Sequence, residues 1–94
     1  MKVVVDFAVI ASIIEFIPFL GKDIKTYQTE FEKWYYEETS AGDFRPRERF
    51  IYKIFDVNVV IQWIKEVAPH ANPKIVVEEI NPDNVDQSLP GMYF

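Results

Sequence analysis

The sequence predicts an α+β domain, with a small three-stranded sheet packed against two principal helices in the order β-α-β-α-β. Three observations lead there. Ile24, Tyr27, Phe31, Trp34 and Tyr35 recur at offsets of three, four and seven, the spacing of one apolar stripe on a helix. Val57, Val60, Ile61, Ile64 and Ala68 repeat that spacing further along. Around these stripes lie short β-branched or aromatic runs, Val3–Ile10, Phe50–Phe55 and Lys74–Ile80, which have the composition of strands.

Val3–Ile10 starts abruptly and is rich in valine, so a buried strand is expected. Ser12 and Glu15 then match a capping box, in which each side chain satisfies a free backbone N–H of a helix start. Pro18 follows too deep for a straight helix, so either a short helical turn ends there or a helix is kinked. The alternative fold is therefore mostly α, with residues 3–20 helical. Asp6, Glu15 and Pro18 count against reading the apolar N-terminal stretch as a membrane span or a leader.

Asp23 is the expected N-cap of the first long helix, which runs to about Glu38 with Glu30, Glu32, Lys33, Glu37 and Glu38 on its outside. Thr39–Asp43 is turn material, and Pro46 makes the basic stretch Phe44–Arg49 extended. Phe50–Phe55 reads as a strand. Asp56 is the expected cap of a second helix, Val57–Ala68, whose apolar arc is broadened by Val59, Trp63 and Val67 until Pro69 stops it. Lys74–Ile80 reads as a peripheral strand, because Lys74, Glu78 and Glu79 would guard an edge. Residues 1–80 thus form one globular domain, and residues 81–94 read as a C-terminal tail with a possible docking role.

Fifteen acidic against ten basic residues give a net charge of −5, which disfavours non-specific contact with nucleic acid or anionic membrane. With no cysteine and a single histidine, disulfides, thiol chemistry and multi-histidine metal centres are excluded. A cytoplasmic protein without cofactor is the expectation. Eight Phe, five Tyr and two Trp are generous for 94 residues. Rings bury about 150–250 Å² each, so an excess is expected at an interface, with Tyr36, Phe44, Trp63, Tyr93 and Phe94 exposed or interfacial.

No motif carries chemistry. The glycines at 21, 42 and 91 are too scattered to cradle phosphate, and no nucleophile elbow or zinc-binding helix is present. Asn81, Asp83, Asn84 and Asp86 read as Asx turns and not as a calcium loop. The adjacent acids Glu37 and Glu38, or Glu78 and Glu79, point apart and make no acid–base pair. Asp6, inside an apolar strand, reads as a strand-end acid reaching water or a basic partner. His70 reads as a helix-end group.

Arg45, Arg47 and Arg49, with Phe44 beside them, form the most suggestive cluster. On an extended segment the three guanidinium groups share a face, suited either to phosphates or to the acidic first helix. The acidic-partner reading is preferred. The expected function is a non-catalytic interaction or regulatory module, self-associating as a homodimer or serving as an accessory or inhibitory subunit, with no small-molecule substrate. Its candidate contact residues are Tyr36, Phe44, Arg45, Arg47, Arg49, Trp63, Met92, Tyr93 and Phe94. The rival readings are nucleic-acid binding through the arginines and a small carboxylate enzyme.

Overall fold

Two hairpin-compatible β-branched runs begin the chain, and they pair with each other. In a computed structural model, which describes residues 1–21, 23–37 and 56–94 and the backbone of 38–40, β1 (Lys2–Asp6) and β2 (Ala11–Glu15) run antiparallel, with Val3 opposite Ile14 and Val5 opposite Ser12. The turn between them is held by the Asp6 carboxylate, whose Oδ1 accepts the Ala8 N–H at 2.7 Å. Asp6 is thus the strand-end acid its sequence position suggests. Ser12 and Glu15 do not cap a helix. A helix confined between Ser12 and Pro18 would have fewer than two turns, too few to repay nucleation. Ile13 and Ile14 instead favour the pleated conformation and find partners on both sides. The Ser12 hydroxyl donates across the sheet to the Glu78 carbonyl. The all-helical alternative for residues 3–20 is thereby corrected.

The remaining order is α1 (Ile24–Ser40), α2 (Val57–Val67), a 3-10 turn at Pro69–Ala71, β3 (Lys74–Ile80), a second 3-10 turn at Pro82–Asn84, and β4 (Gly91–Tyr93). The class is α+β, and among the described residues the sheet has four strands in the order β3-β2-β1-β4. β3 joins β2 antiparallel, and β4 joins β1 parallel. The expected strand at Phe50–Phe55 lies outside the described residues. The fourth strand falls in the stretch read as a tail. It is only three residues long, and its pairing partner lies more than eighty positions away, so no local pattern announces it.

Both helix caps form. The Asp23 carboxylate accepts the Lys25 N–H at 2.9 Å, and the Asp56 carboxylate accepts the Asn58 N–H at 2.9 Å. Among the described residues β3 is an edge strand, as its charges imply, and the Lys74 ammonium reaches the Glu15 carboxylate at 3.2 Å. The Asx turns also form: Asn81 Oδ1 accepts the Asp83 N–H, and Asp86 Oδ1 accepts both the N–H and the hydroxyl of Ser88.

The core lies between the helices and one face of the sheet. Val3, Val5, Ile14 and Met92 face Tyr27 and Phe31 of α1 and Val60, Trp63 and Ile64 of α2. Val4 and Ala11 point the opposite way, by strand alternation, yet are buried as well. Much of the aromatic content is spent internally. Rings run in contact from Phe16 to Tyr27, Phe19, Trp63, Phe31, Phe94 and Phe7, with centroid separations of 5.2–5.7 Å.

Candidate interaction surface

The candidate contact residues separate once they are placed in space. Trp63, expected at an interface, is 2% exposed. The broad apolar arc of α2 does meet more than one neighbour, but those neighbours are Phe19 and Phe31 of the same chain, at ring separations of 5.7 and 5.6 Å. Met92, expected as a docking anchor, is fully buried, because pairing with β1 sets it beside Val5 on the helix-facing side of the sheet. Phe94 is half-buried, stacked on Phe7 and edge-on to Phe31. Phe44, Arg45, Arg47 and Arg49 lie outside the described residues.

Tyr36 and Tyr93 remain at the surface, 66% and 59% exposed, and no other described ring is comparably open. They come from distant parts of the sequence but line one groove of about 480 Å³, together with Phe31, Glu32, Tyr35 and Phe94. The helical stripe of α1 carries Phe31 and Tyr35 to its floor. β4 supplies the other wall, with the Tyr93 ring folded back over Gly91, so that a Cβ at residue 91 would come within 2.8 Å of the Tyr93 hydroxyl.

Gln28 fixes the groove's geometry. Its side-chain amide donates to the Tyr93 carbonyl at 2.8 Å and accepts the Tyr93 N–H at 3.1 Å, pairing both polar groups of that residue as another strand would. The same amide donates to Glu32 at 3.1 Å. Sequence reasoning missed Gln28 because its spacing to Glu32 shows only an ordinary i,i+4 pair, while the contact with Tyr93 spans 65 positions.

A second, smaller hollow of about 230 Å³ is bounded by Phe19, Leu20, Trp63, Val67 and Ala68, with Glu30 and His70 among its lining. Asp6 does not line it. Among the described residues no group of three His, Cys, Asp or Glu could hold a metal ion, and no helix is long and apolar enough to cross a membrane. No family model, curated protein or solved structure matches this chain.

Proposed function

We propose that the chain is a non-catalytic interaction module that engages another protein through the face carrying Tyr36 and Tyr93, by self-association or as an accessory or inhibitory subunit in the cytoplasm. The observation that supports this reading is the meeting of two exposed rings, one from α1 and one from β4, at a single aromatic groove. Tyrosine offers a broad apolar face with a hydroxyl that stays satisfied in water, and it is enriched among the residues that dominate binding energy. The net charge of −5 favours a basic partner surface and speeds encounter with one.

Most described rings are engaged within the chain, and the ring surface left exposed is that of Tyr36 and Tyr93. Sedimentation from micromolar to millimolar protein tests self-association: a mass rising above 11.1 kDa, and falling back on Tyr36→Ser, is the expected result. A mass constant at 11.1 kDa would eliminate the homodimer and leave only the accessory form of the reading.

A further inference from the structure

The hollow beside Trp63 shares no lining residue with the groove of Tyr36 and Tyr93, and its chemistry suits a guest of its own. We infer that it binds an alkylammonium group on a stem of about four carbons, borne by a free amine or by a lysine side chain.

Size comes first. At about 230 Å³ the hollow is smaller than the roughly 300–1,000 Å³ of pockets that enclose drug-sized ligands, so it suits one side chain or a guest of similar bulk. Its lining is mostly apolar. Phe19 and Leu20 come from the segment ahead of α1, and Trp63, Val67 and Ala68 from α2 and its end. The core fixes this wall. The Phe19 ring meets Trp63 at 5.7 Å and Tyr27 at 5.2 Å, and the Tyr27 hydroxyl accepts the Phe19 and Leu20 N–H groups. A guest therefore meets a preformed site. Val67 and Leu20 remain 49% and 36% exposed, which leaves apolar surface for its methylenes to cover.

Charge selects the head group. Glu30 of α1 is the acid in the lining, and among the described residues no hydrogen bond or ion pair takes up its carboxylate. A guest whose stem lies on Leu20 and Val67 can set its ammonium beside Glu30 while the head keeps contact with water, as long cationic side chains do on protein surfaces. His70 also lines the hollow and offers a lone pair to an N–H donor when its imidazole is neutral. Phe19 and Trp63 add aromatic rings, whose faces favour a cation over a neutral guest of the same shape. An anion would meet Glu30, and the net charge of −5 disfavours it further.

The test is NMR titration of the full chain at fixed ionic strength, reading the Trp63 indole N–H, with the Trp34 indole, which does not line the hollow, as internal control. The guests are n-butylammonium, ethylammonium, neutral n-butanol and a lysine blocked at both ends. n-Butylammonium should shift Trp63 saturably in the millimolar range and leave Trp34 in place. Ethylammonium should bind about fourfold more weakly or worse, for the methylenes it cannot bury, and n-butanol about threefold or worse, for the charge it lacks. Glu30→Gln, at an exposed position, should weaken n-butylammonium by about threefold. Val67→Ser should narrow the gap between the butyl and ethyl guests. Blocked lysine binding as tightly as n-butylammonium assigns the site to a lysine of a partner protein; weaker binding assigns it to free amines. Equal binding of n-butanol, indifference to Glu30→Gln in a variant that circular dichroism shows folded, or no saturable shift of Trp63 would each overturn the proposal. Tyr36-dependent sedimentation reads the other face, so either reading can fail without the other.

Discussion

Ala8 holds φ at 72° in the β1–β2 turn, a region that suits glycine, while the Val9 N–H donates to the Phe7 carbonyl across it at 2.8 Å. Such strain costs about 1–3 kcal/mol. Glycine would remove it and add about 0.5–1 kcal/mol of unfolded-state freedom. Ala8→Gly is therefore expected to stabilise the protein by about 1 kcal/mol, measured as a higher urea midpoint at unchanged slope. Tyr27 has the opposite sensitivity. Its buried hydroxyl accepts the N–H groups of Phe19 and Leu20 at 3.2 and 3.1 Å and donates to the Leu20 carbonyl at 3.3 Å. Tyr27→Phe strands these groups and should cost about 1–3 kcal/mol in the same experiment.

Glu15 gives a pH signature. The hydrogen bond from Lys74, then its positive charge, hold the carboxyl below the ordinary carboxylate range. A carboxylate depressed in the folded state contributes stability above its unfolded pKa, and that contribution is lost as pH falls through the folded value. Because both side chains meet solvent, the contribution is small. In Lys74→Gln the Glu15 midpoint should move up toward the ordinary value, followed by side-chain carboxyl NMR; an unchanged midpoint would contradict the assignment.

At the scale of elements, legibility follows the range of the interactions that form each one. α1 and α2 were legible because their stripes and the caps Asp23 and Asp56 are local. The edge position that β3 has among the described residues was legible from Lys74, Glu78 and Glu79. β2 was not, because Ser12 and Glu15 imitate a cap while the forces that override it come from β1 and β3. β4 is written in three residues and depends on strand pairing with β1 and on one glutamine. Gln28→Ala should therefore loosen β4 selectively. Faster amide exchange at Tyr93 than in β1, with a loss of about 1–2 kcal/mol overall, is the expected outcome.

Across the whole molecule, the ring count was informative about the core and misleading about the surface. It put Trp63 among the exposed or interfacial rings, whereas the chain of rings from Phe16 to Phe7 takes it up and leaves it 2% exposed. The groove itself was only half visible: Tyr36 and Tyr93 were legible as candidates, but their proximity was not, since it depends on β4. Met92 ties that strand to the core. Met92→Ala should cost about 2–5 kcal/mol by opening a void between Val5 and the helices. For a domain whose total is about 5–15 kcal/mol, that loss should appear in calorimetry as a large drop in melting temperature.

The parallel pairing of β4 with β1 also has a bearing on biosynthesis. β1 is translated well before β4 and stays without its parallel neighbour until residues 91–93 have been made, a delay on the order of several seconds at about 5–20 residues per second. Throughout that interval β1 can pair with β2 on one side only, and its other edge waits uncovered for β4.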